Sequence, residues 1–136
     1  MFLKNCWYIA AWSHELPKGE LVSVQIIGQP LVLYRTPDGA AKCLANRCPH
    51  RHAPLALGRI EGADVRCMYH GLKFDASGAC VDSPDPAFNK KNCHVRTYPV
   101  AERDGWLWVW MGDRDKADLE LVPPGFGLDM PDFEMR

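Results

Sequence analysis

Apolar residues in this chain come in short runs cut by turn-forming residues. Leu21–Ile27, Leu31–Arg35, Arg96–Val100 and Trp106–Met111 are rich in Val, Ile, Leu and aromatics. Between such runs stand Pro17-Lys18-Gly19, Gly28-Gln29-Pro30, Thr36-Pro37-Asp38-Gly39, Gly62-Ala63-Asp64 and Ala76-Ser77-Gly78. Short strands with turns at regular spacing predict an all-β sandwich or barrel. No segment sustains a 3.6-residue apolar period, so any helix should be brief. The stretch GWLWVWMGD alternates, with Trp106, Trp108 and Trp110 on one face and Leu107, Val109 and Met111 on the other. A strand apolar on both faces belongs inside a sheet covered on each side, which makes the tryptophans core rather than a binding platform. The early patch CWYIAAW, Cys6–Trp12, is short, is flanked by polar residues and lacks a small-residue cleavage site. It is expected to be a first strand and not a leader.

Composition narrows the class without naming a function. Apolar content of 47% and charged content of 24% are those of a globular domain. A chain of 136 residues is expected to fold as one domain. A formal net charge of −1 and the lack of a basic run give no support to a nucleic-acid or membrane-surface partner. No apolar run approaches a membrane span, and the protein is expected in the cytoplasm. In that reducing compartment the six cysteines should be free thiols. Cys6, Cys43, Cys80 and Cys93 fall beside strand-like residues, where cysteine acts as a small hydrophobe.

Cys48 and Cys67 differ, because each shares a tight loop with a histidine: RCPHRHAP gives Cys48–His50 and RCMYHGLKFD gives Cys67–His70. Two chance pairings of this kind are improbable, whereas four soft or borderline ligands in two loops suit a metal. Structural zinc usually takes Cys-x(2–4)-Cys followed by His-x(3–5)-His, and here each loop mixes the two types. A [2Fe–2S] centre with two Cys on one iron and two His on the other fits the mixed order.

CPHRHAPLALG followed by CMYHGLKFDASGAC resembles the Rieske motif, and NCWYIAAW, LVLYR and YPVAERDGWLWVWMGD extend the likeness across most of the chain. The family it resembles is the Rieske non-haem iron oxygenases, of the kind that includes vanillate and dicamba O-demethylase oxygenase subunits. The resemblance implies a Rieske-type antiparallel β-sandwich or barrel scaffold with an inserted cluster-binding subdomain. It assigns Cys48 and Cys67 to the buried iron, and His50 and His70 to the iron nearer the surface. Respiratory Rieske proteins are similar but carry an extra cysteine in each loop and a serine after the second His-Gly. Here those positions hold Ala53, Tyr69 and Leu72, which implies a low-potential centre. His52 stands where many members have glycine and is expected to be a solvated loop residue.

The expected organisation is a Rieske domain over 1–115, with its cluster-binding part at about 46–84, and an extended tail over 116–136 leading toward an absent catalytic domain. His14, His52 and His94 are scattered, so a facial triad and catalytic residues are not expected in this chain. A mononuclear Fe(II) is expected only in that absent C-terminal domain. The resemblance implies a reductase or ferredoxin as electron donor and the oxygenase catalytic domain, possibly of a neighbouring subunit, as acceptor, serving hydroxylation or O-demethylation of an aromatic substrate. Two alternatives stay open at this point: a free-standing Rieske ferredoxin-like carrier, and a zinc-stabilised binding module. Asp82–Asn92 is expected to be a solvated connection, with Arg51 and Lys73 as weak candidates for docking a redox partner.

Overall fold

The structure, a computed structural model, describes residues 5–49 and 53–117. Eleven antiparallel strands and a few single-turn 3₁₀ segments make up these residues. The scaffold begins with β1 (Cys6–Trp12), β2 (Val22–Ile26), β3 (Gln29–Arg35) and β4 (Ala41–Ala45). Four short strands follow, β5 (Arg59–Glu61), β6 (Asp64–Arg66), β7 (Lys73–Phe74) and β8 (Cys80–Asp82). The chain then returns to the scaffold as β9 (Thr97–Tyr98), β10 (Val100–Arg103) and β11 (Trp106–Met111). These form three sheets, ordered β1-β11-β10, β2-β3-β4-β9 and β5-β6-β7-β8. The all-β expectation holds, and among the described residues no helix is long and apolar enough to cross a membrane.

β11 lies between β1 and β10, as its two apolar faces require. Leu107, Val109 and Met111 enter the scaffold core with Leu31, Leu33 and Tyr98. Trp108 and Trp110 pack on the other face against Trp7. The hairpin from β10 to β11 turns at Asp104-Gly105, both with positive φ, the pairing a two-residue type I′ turn demands.

One expected strand is two. Arg96–Val100 divides at Pro99 into β9, paired with β4, and β10, paired with β11. Proline has no N–H to give to a ladder. Its carbonyl instead accepts the Trp110 N–H at 3.0 Å, so the chain crosses from one sheet to the other at that residue. The tail expected over 116–136 lies outside the described residues from position 118 onward.

The second core sits under the β5–β8 sheet. Val65, Leu72 and Phe74 from that sheet meet Val32, Tyr34 and Leu44 of the scaffold. Tyr34 joins the two parts by a polar bond as well, its hydroxyl donating to the Ala63 carbonyl at 2.9 Å. Asp82–Asn92 is largely exposed, as a solvated connection should be.

Candidate metal centre

Two loops project from the β5–β8 sheet, and they are closed in the same way. In the first, the Cys48 N–H donates to the Ala53 carbonyl at 2.8 Å; in the second, the Cys67 N–H donates to the Leu72 carbonyl at 2.7 Å. Each bond runs from a cysteine to the residue five places on, and in the second loop it leaves Met68, Tyr69 and His70 at the surface with Cys67 inward. Cys48 and Cys67 are 2% and 1% exposed. Both belong to the second core, with Leu55, Val65 and Leu72 beside them. All six cysteines are free thiols, as expected. Cys43 is raised well above the usual thiol range by burial, and Cys93 is pushed up to about 11 by burial and by the neighbouring Cys80. Those two behave as buried thiols, not as reactive ones.

Glycines set how closely the loops approach the sheet. A Cβ on Gly58, at the end of the first loop, would lie 2.0 Å from the Arg66 carbonyl just before the second. Gly71 has φ +76°, and a Cβ there would stand 2.8 Å from Cγ of Pro84. Its N–H donates to the Cys67 carbonyl at 3.1 Å, which completes the second turn.

His70 is exposed at the tip of that turn, with its ring edge-on to Tyr69 at 4.3 Å between centroids. Its neighbours Met68 and Tyr69 are large side chains open to solvent, as is Leu57 on the first loop, each at least 60% exposed. A cleft of about 350 Å³ runs between Leu57 and Met68 and reaches Cys67. Three of the four expected ligands can therefore be placed: Cys48 and Cys67 buried, His70 at the surface. His50 lies outside the described residues, as do His52 and Arg51. Among the described residues no three His, Cys, Asp or Glu side chains gather as a metal site of their own. Two buried thiols and a surface imidazole on paired loops are donors of the types that a mixed Cys/His cluster uses.

Sequence reasoning missed the charged network behind the second loop. Arg66 donates from its guanidinium to Glu61 at 3.0 Å, to Asp82 at 2.8 Å and to the Gly71 carbonyl at 2.6 Å. Glu61 also pairs with Arg59 at 2.6 Å and Lys73 at 3.4 Å. Lys73, expected as a docking cation, is instead held inward between Glu61 and Asp64. The three cations hold Glu61 down to about 2, with Arg59 the strongest. No periodicity announces this network; the position of Arg66 directly before Cys67 is its one sequence signal.

Comparison with known proteins agrees with this architecture. Residues 6–99 match the model of the Rieske [2Fe-2S] domain. The chain belongs to that family, whose cofactor is an iron–sulfur cluster and not zinc. It is 45% identical over 137 residues to the toluene-4-sulfonate monooxygenase system iron-sulfur subunit TsaM1 of Comamonas testosteroni, an alignment covering all of this chain and 39% of that protein. The crystal structure of dicamba monooxygenase bound to dicamba superposes with a TM-score of 0.88 at 40% identity, over 96% of this chain and 39% of that one. The oxygenase–ferredoxin complex of carbazole 1,9a-dioxygenase contains a chain with a TM-score of 0.81 at 29% identity, over 90% of this chain and 33% of its own length. The chain thus spans about two-fifths of the length of these relatives.

Proposed function

We propose that this chain is the electron-transfer part of a cytoplasmic oxygenase component, with Cys48 and Cys67 holding the inner iron of a [2Fe–2S] cluster and His50 and His70 the outer. The observation that carries the proposal is the pairing of two loops, closed by the same cysteine-to-fifth-residue bond, inside a family whose cofactor is that cluster. When bound, the cluster supplies reversible one-electron transfer. The protein's part is to bury the two thiolates in an apolar core and to leave imidazole at the surface. Burial keeps water from the inner ligands, and hydrogen bonds behind them fix the loops that present them. His70, beside the exposed Met68 and Tyr69 and on the same surface as the exposed Leu57 cleft, marks the face for redox partners, since apolar surface near a ligand excludes water on docking. Those partners are a reductase or ferredoxin as donor and, as acceptor, an oxygenase catalytic domain of the same or a neighbouring subunit. That domain would carry the mononuclear iron acting on an aromatic substrate. The oxygenase relatives, of which this chain matches only part, favour an oxygenase component over a free-standing carrier.

Visible absorption and low-temperature EPR before and after dithionite test the proposal. The expected result is a red-brown protein that gains a rhombic signal on reduction, and a Cys67→Ser variant that lacks both. Protein that stays colourless after reconstitution with iron and sulfide, or a Cys67→Ser variant with the wild-type spectrum, would refute the assignment.

A further inference from the structure

Among the described residues the two loops are held differently. In the first, the Ala56 N–H donates to the Asn46 side chain at 2.8 Å, and Leu55 is fully buried beneath it. The second adds an arginine to its backbone bonds. We propose that Arg66 is the positioning residue of the second loop, its guanidinium tying the Gly71 carbonyl to Glu61 and Asp82 and so fixing the turn that carries Cys67 and His70. The inference rests on the cluster assignment above.

Three segments meet on this side chain: Glu61 ends β5, Asp82 ends β8, and Gly71 lies within the turn itself. Glu61 receives Nε at 3.0 Å, Asp82 receives one terminal nitrogen at 2.8 Å, and the Gly71 carbonyl receives the other at 2.6 Å. The side chain is only 18% exposed. Gly71 has no side chain of its own to hold its peptide, and its positive φ is a conformation it can leave at little cost. The Arg66 bond is thus a lock on the Gly71–Leu72 peptide, one residue beyond His70. Three cations, Arg59, Arg66 and Lys73, face three carboxylates, Glu61, Asp64 and Asp82, which leaves little unbalanced charge here. The contribution of Arg66 is therefore directional and not a general field. Lysine offers a mobile point charge in place of a planar fork and cannot reproduce three diverging bonds. Charge-conserving substitution should fail nearly as badly as neutral substitution.

The test compares wild-type protein with Arg66→Gln, Arg66→Lys and Arg35→Lys. Arg35 is a matched control: it bridges Leu16, Ser13, Gly39 and Glu102 in the scaffold, away from the ligand loops. The readouts are the rate at which visible absorbance decays under a ferrous chelator, the EPR g-values, and the midpoint potential of the cluster retained. Both Arg66 variants should lose the cluster about 10- to 100-fold faster than wild type, the usual cost of removing an outer-shell partner. Both should also show broadened g-values and a displaced potential. Arg35→Lys should lower the melting temperature while keeping wild-type decay and g-values. Coloured wild-type protein beside an Arg66→Lys variant of unchanged decay and spectrum overturns the inference alone. An Arg35→Lys variant that sheds cluster as fast as Arg66→Lys does the same, since general instability would then explain both. Wild-type protein that never takes up a cluster overturns the assignment beneath it.

Discussion

Gly71 meets two constraints at once. Its φ of +76° lies where a Cβ clashes with the following carbonyl, and Pro84 occupies the space a side chain would enter. Gly62, in the turn between β5 and β6, has φ +66° with nothing within 4 Å of a built Cβ. The two positions separate backbone strain from crowding. Gly62→Ala should cost about 1–2 kcal/mol, the left-handed penalty alone. Gly71→Ala should cost more, because Pro84 and the loop behind it must also shift. Thermal unfolding of the two variants checks this: Gly71→Ala should melt lower, and equal melting temperatures would mean that Pro84 yields freely. At this scale the Cys/His pairs stood out in the sequence because cysteine and histidine at close spacing are rare and chemically pointed. Arg66, Glu61 and Asp82 did not, since charged residues are common and nothing local says that three of them meet across separate strands.

Strands were legible where burial is strong. β11, apolar on both faces, is central as its pattern requires. β5 to β8 have two or three residues each, too few for a period to show. The break at Pro99 was hidden because one apolar run serves two sheets, and only the pairing of β9 and β10 with different partners reveals it. The link between scaffold and cluster sheet is also tertiary. Tyr34 is fully buried in β3, and its hydroxyl reaches the turn between β5 and β6. Burial raises its pKa far above the usual phenol range, so it acts as a donor throughout the accessible pH range. Tyr34→Phe keeps the ring in the core and removes that bond, at a cost of about 0.5–1.5 kcal/mol. Hydrogen exchange should locate the loss. Amides of Asp64–Arg66 should exchange faster while those of Trp106–Met111 keep their protection. Uniform acceleration across both would show that Tyr34 supports the whole fold and not the junction.

At the scale of the whole molecule, two charged clamps among the described residues respond to acid in the same direction. In the cluster sheet Arg59, Arg66 and Lys73 hold Glu61 down to about 2 from its ordinary 4.5, and Arg66 lowers Asp82. In the scaffold Arg35 lowers Glu102, to which it donates two bonds. A carboxylate with a depressed folded pKa stabilises fully above its unfolded pKa, and that stabilisation disappears as pH falls toward the folded value. For Glu61 the window runs from 4.5 down to about 2. Glu61 is partly open to solvent, so screening limits what each pair contributes, but one carboxylate bound to three cations cannot lose its charge without weakening all three pairs. The melting temperature of the wild-type protein should therefore hold from neutral pH to about pH 4.5 and then fall toward pH 2. Glu61→Gln should melt lower at pH 7, where the wild-type carboxylate is charged, and should decline less steeply below pH 4.5, since the group responsible for part of the slope is gone. Raised salt at pH 7 should narrow the gap between the two by screening the wild-type pairs. Parallel curves for wild type and Glu61→Gln across the acid range would show that Glu61 does not govern acid stability, and the Arg66 lock would then rest on Asp82 and the Gly71 carbonyl alone.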